Sequence, residues 1–311
     1  MGHAITGRPM RHGPLLAGLL VALVAACAAS PFVGPTALSL PAVLDASIPA
    51  AQNTDRIILL ELRLPRVLMA AVAGAALAIG GAVFQALLRN DLATPYTLGA
   101  SGGASFAALL AHSLGGELAA GLRFSLLPPA AFLGATASVA VILALAHGAR
   151  SPDRMATLLL AGVTLNLLFG AGILVVQYLS DPFQAYGMIR WMMGGLDVAN
   201  VWIPALCAPG VLLAVLLVWR RALALNLMTM GDESAQHLGV DTSWARIELM
   251  VVASAATALV VSFVGPIGFV GLIVPHAMRR LAGPDHRGLV ATSAVGGALL
   301  LVACDTVGRM V

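Results

Sequence analysis

Residues 65–88 read PRVLMAAVAGAALAIGGAVFQALL, an apolar run with no ionisable side chain between Arg66 and Arg89. A helix needs about 20 such residues to cross the hydrocarbon core of a bilayer. Lipid tolerates only helices and closed barrels, because every backbone polar group must be bonded internally. Barrel strands alternate in polarity at every second residue, and this run does not alternate. The same continuous pattern recurs along the chain. Apolar stretches bounded by charges or Gly/Pro clusters predict nine spans, at roughly 14–33, 65–88, 97–114, 126–147, 155–179, 199–219, 247–265, 267–281 and 289–305. The fold class is therefore an all-α membrane protein, a polytopic helical bundle. The third and eighth spans are short and interrupted by glycine or proline.

Composition agrees. The 311-residue chain is 59% hydrophobic and 10% charged, with a mean hydropathy of +0.94. A soluble domain is about 45–50% apolar and about 25% charged. So few charges cannot cover a water-facing surface. The same arithmetic excludes a disordered chain, a secreted disulfide scaffold and a nucleic-acid binder. Cys27, Cys207 and Cys304 lie far apart in apolar stretches and read as small buried hydrophobes. Arg8, Arg11 and the apolar run ending at Cys27 imitate a lipoprotein signal, but the run continues to Val33 and further spans follow, so an uncleaved first helix is the simpler reading.

The basic residues are seventeen arginines, with no lysine anywhere. A Walker A loop and a kinase-type site each need a lysine on the phosphates. ATP chemistry serving this chain must sit on another one. Placing the N-terminus in the cytoplasm puts eleven arginines inside and six outside, the orientation that positive charge favours. The outer six are Arg56, Arg63, Arg66, Arg123, Arg190 and Arg309.

Ionisable groups at mid-bilayer depth are the usual functional candidates in such a protein. Here the fourteen acids fall at span ends or in loops, which counts against an ion-coupled secondary transporter, the competing reading. No metalloprotease or hydrolase motif occurs and no histidines pair at ligand spacing, so neither catalytic nor metal-binding residues are assigned and no cofactor is expected. Gly99–Gly103 and Gly265-Pro266-Ile267-Gly268 predict broken helix, which membranes admit only against protein or a water-filled path. The long loop 220–246 predicts a short helix, with Asp232 and Glu233 at its N-terminus, Ala235 and Leu238 on one face and Gly239 as its stop.

Taken together, several segments resemble the iron-chelate and vitamin B12 permease family of ABC importers. They are Arg63-Leu64-Pro65-Arg66, Gly74 to Ala78, Gln85 to Ala93, Leu98-Gly99 with Ser101 to Ala104, Leu160 to Val163, Trp191 to Gly195, Gly231-Asp232, Gly265 to His276, and Asp305-Thr306. These motifs run in order from Leu62 onward. The resemblance implies a single permease domain over 1–311, with ten helices in the family pattern. It implies a pathway between two copies, or between this chain and a closely related permease. It also implies ATP-binding subunits inside, an extracytoplasmic substrate-binding protein outside, and residence in the inner (plasma) membrane.

By the same resemblance Arg63, Arg66 and Arg309 receive the binding protein. Gly231, Asp232, Glu233, Ala235, Leu238 and Gly239, within the cytoplasmic coupling loop 220–246, contact the ATPase. Asn90, Leu92, Met155 and Ala156 fall at the cytoplasmic gate. Two departures stand out: Asp91 replaces a proline, and the family pattern continues after Asp305-Thr306 into a tenth helix, whereas the sequence stops at Val311. Ferric siderophore, haem and cobalamin permeases share these motifs, and an iron chelate is the larger class. A structural or signalling subunit without substrate flux is a third reading.

Overall fold

The run that begins at Pro65 is one helix, Leu64–Leu88, entered through a π-helical turn at Ile58–Arg63. Pro65 follows that turn directly and has no N–H to donate back into it, and the i→i+5 bonding of the π turn, as in Leu64 N–H to the Leu59 carbonyl, lies just before it. The structure, a computed structural model, describes residues 12–45, 48–49, 52–114, 120–148, 154–198 and 200–310. Its helices, in chain order, begin with α1 His12–Ala29, α2 Leu40–Leu44, α3 Thr54–Ile57, α4 Leu64–Leu88 and α5 Ala100–Leu114. They continue with α6 Ala120–Gly148, α7 Arg154–Leu179, α8 Pro182–Met192, α9 Trp202–Arg220 and α10 Ala222–Met230. The last four are α11 Asp232–His237, α12 Thr242–Val264, α13 Val270–Ala282 and α14 His286–Gly308.

All nine apolar runs are helical. Seven of these helices among the described residues are long and apolar enough to cross a membrane. The other two, α5 with 15 residues and α13 with 13, rise only about 20 Å at 1.5 Å per residue, short of the roughly 30 Å core. Each starts after a backbone break. Gly99, at φ 74°, ends a 3₁₀ turn over Pro95–Leu98 before α5. Gly265 at φ 68° and Phe269 at φ 67° bracket the segment before α13. The break expected across Gly99–Gly103 is thus confined to Gly99; Gly102 and Gly103 are helical.

Helix α4 is the axis of the molecule. It packs against α9, α12, α13 and α14, and Ile79, Val83 and Phe84 are wholly buried. A helix that is apolar on every side has to be surrounded, and its small residues show how. A β-carbon at Gly81 would overlap the Gly271 carbonyl of α13, and one at Gly74 would overlap the Gly297 carbonyl of α14. Backbones therefore touch directly, the contact that drives association where lipid is as apolar as leucine. A second group, α5 between α6 and α7, joins the first through α12. Helix α7 is the least covered span of this group, with Leu160, Leu167, Leu174 and Tyr178 exposed.

Candidate functional site

Charge collects at the two ends of the bundle. At the end where α4 begins and α14 finishes, the three arginines singled out from the sequence come together. Arg63 is 7% exposed, because its guanidinium donates to the Pro31 carbonyl at 3.0 Å and the Thr36 carbonyl at 2.6 Å. Arg66 donates through Nε to Asp305 at 2.7 Å and through Nη1 to Asp197. Arg309 pairs with the other Asp305 oxygen at 3.1 Å and donates to Ser30. Burial pushes the Arg309 pKa down, and the Asp305 charge opposes that shift. Two arginines thus share two aspartates while Arg63 is held by carbonyls, and the arginine with the reachable surface is Arg66. Sequence reasoning did not pick out Asp197, and it named Asp305 only as part of the Asp305-Thr306 motif, without a partner. The available signal was topological, since both acids fall at span ends on the side assigned to the unexplained arginines.

At the opposite end α4 finishes in a Schellman-type turn. Arg89 takes the left-handed conformation at φ 46°, and Asn90 N–H closes the turn onto the Gln85 carbonyl at 3.2 Å. A non-glycine residue there is held by its side chain, which donates to the Met228 carbonyl at 2.8 Å and to Asp232 at 3.2 Å. Asp232 also accepts from Arg246 at 2.6 Å. One carboxylate therefore ties α11 to the end of α4 and the start of α12. Asp91, the departure from the family pattern, pairs with Arg279 of α13 at 2.8 Å. Arg279 in turn donates to Gln85 at 3.2 Å. Of the gate candidates, Asn90 accepts the Leu92 N–H at 2.9 Å, and Leu92 is 73% exposed. The side chains of Met155 and Ala156, in the first turn of α7, lie outside the described residues.

The coupling loop is more helical than its sequence predicts. Gly231, at φ 132°, separates α10 from α11. Asp232 and Glu233 occupy the first turn of α11, where the helix dipole favours negative charge. The face proposed for Ala235 and Leu238 is split. Ala235 is buried, whereas α11 ends at His237 and leaves Leu238 65% exposed, with Gly239 left-handed after it. Asn226 of α10 joins the start of α14, donating to Asp285 at 2.7 Å and accepting the His286 N–H at 2.9 Å. Burial raises the Asp285 pKa, but the Asn226 amide, the Arg287 N–H and the charges of His12 and Arg287 outweigh it and leave that carboxyl below its usual value.

This architecture matches known proteins over nearly its whole length. The FecCD transport family matches residues 20–311. The chain is 37% identical to the hemin transport system permease protein of Yersinia pestis over 296 residues, 95% of this chain and 87% of that one. It is 40% identical to the cobalamin import system permease protein of Halobacterium salinarum over 262 residues, 83% of this chain and 68% of the other. Its fold superposes on an inward-facing conformation of a metal-chelate type ABC transporter with a TM-score of 0.82, at 28% identity, across 95% of this chain and 90% of that one. The resemblance read from the motifs is upheld: this multi-pass membrane chain, a transport subunit, belongs to the FecCD transport family.

Proposed function

We propose that the chain forms the membrane channel of an ATP-driven importer. It would receive a metal chelate, an iron-siderophore complex or the related haem or cobalamin, from an extracytoplasmic binding protein. The observation that carries this reading is the placement of α11, exposed at one end of the bundle and fixed by Asp232 between Arg89 and Arg246. A displacement of α11 is thereby passed to the end of α4, where Asn90 and Leu92 sit, and to α12. Gly231, Asp232, Glu233, Ala235, Leu238 and Gly239 form the contact with the ATPase, and Asn90, Leu92, Met155 and Ala156 border the gate. ATP is hydrolysed on a separate subunit, since this chain has no lysine for a P-loop.

Arg66 meets the acidic face of the binding protein, with Arg63 and Arg309 beneath it fixing the surrounding backbone. A charge contact of this kind steers encounter and sets register more than it adds affinity. The exposed apolar face of α7 supports a pathway between two copies in the plasma membrane, and the excess of arginines on one side supports an N-terminus in the cytoplasm. Proteoliposomes holding the complete complex should accumulate chelate only with ATP inside the compartment that the ATPase faces. Uptake by this chain without any ATPase, driven by an ion gradient, would assign it to secondary transport instead. Competition among siderophore, haem and cobalamin in the same assay identifies the cargo.

A further inference from the structure

Helix α12 packs against both α6 and α9, while α6 and α9 hardly touch each other. The result is a cleft of about 250 Å³ with walls from Phe132, Leu213 and Leu217 and a floor that includes Ala214, Ala255 and Ala256. All its lining residues are apolar. These three helices are among those long and apolar enough to span a membrane, and Leu212, Leu213 and Leu216 beside the cleft are exposed. With these helices read as membrane spans, the cleft opens toward hydrocarbon.

We infer that this cleft holds one acyl chain of an anionic phospholipid whose head group rests on Arg220. Helical periodicity places Arg220 on the same face as Leu213 and Leu217, seven and three residues before it. Arg221, in register with Ala214, is tied to Glu248 at 2.5 Å. Arg220 is exposed and pairs with no carboxylate among the described residues. The end of α9 thus carries two arginines, of which one is matched by Glu248 of α12. Trp219, next to Arg220 at the end of α9, and Trp244, in the first turn of α12, are exposed, and such aromatic side chains are enriched where lipid head groups lie. An acyl chain gains no hydrophobic energy by leaving the bilayer for this cleft, because both surroundings are equally apolar. Retention then rests on close contact and, for selectivity, on head-group charge.

The inference requires only that these helices sit in lipid, and it stands apart from the transport reading. The test is native mass spectrometry of the delipidated complex offered equal phosphatidylglycerol and phosphatidylcholine with identical acyl chains. Retention should favour phosphatidylglycerol about fivefold, the worth of one basic residue at an anionic surface. Arg220→Gln should remove that preference, and Ala255→Leu, which fills the floor, should lose one bound lipid of either type per chain. If Ala255→Leu does not fold, Phe132→Ala, which removes a wall, should give the same loss. Equal retention by the unaltered complex, or a preference that survives Arg220→Gln, overturns the site. So does disulfide-linked pairing of two Leu213→Cys copies, which would assign the cleft to a second chain.

Discussion

Arg66 holds two carboxylates that differ in kind. The Asp305 side chain is 2% exposed and joins Arg66 to Arg309, whereas that of Asp197 is 69% exposed. An exposed ion pair contributes roughly 0–1 kcal/mol, so under the proposed docking role an acidic residue of the partner would displace Asp197 while Asp305 holds Arg66 in place. Asp197→Asn should therefore tighten binding-protein affinity by roughly two- to fivefold, the equivalent of one such pair, as read by surface plasmon resonance. Weaker binding would make Asp197 part of the contact itself. Arg66→Glu should abolish stimulation of ATP hydrolysis by the binding protein, and undiminished stimulation removes Arg66 from the docking face. These pairings were not legible in the sequence. Arg66 and Asp305 lie 239 residues apart, and partner choice among end-of-span charges is decided by how helices pack.

Among the elements, the spans were legible because the length of an apolar run is a strong local signal, as in 65–88. The breaks were legible through Gly99 and Gly265, since glycine readily supplies the positive φ each one adopts. Helix α8 escaped because its apolar run is short and starts at Pro182, with Asp181 capping it through the Phe183 and Gln184 N–H groups. The division of loop 220–246 into α10 and α11 depends on Gly231, whose φ of 132° and ψ of 144° suit glycine almost alone. Gly231→Ala should strain this joint by about 1–3 kcal/mol and detach the motion of α11 from α10. Leu238→Glu places a charge on the exposed residue after α11. Both variants should lose chelate uptake in proteoliposomes while the partner ATPase keeps hydrolysing. Normal uptake in both would remove α11 from the coupling role.

For the whole molecule, the proposed pathway between copies rests on α7, whose leucines stand exposed among the described residues. Leu167→Arg, in the middle of that face, should convert the purified permease from dimer to monomer by light scattering and abolish uptake. An unchanged mass would move the pathway elsewhere. The direct meeting of main chains at Gly81 with Gly271 and at Gly74 with Gly297 sets a further condition on any such machine. No slack remains there for sliding, so α4, α13 and α14 have to travel as one slab. Gly103 against Gly134 locks α5 to α6 in the same way, and Gly162 against Thr97 locks α7 to the turn before α5, so opening and closing are left to the seams between these two groups.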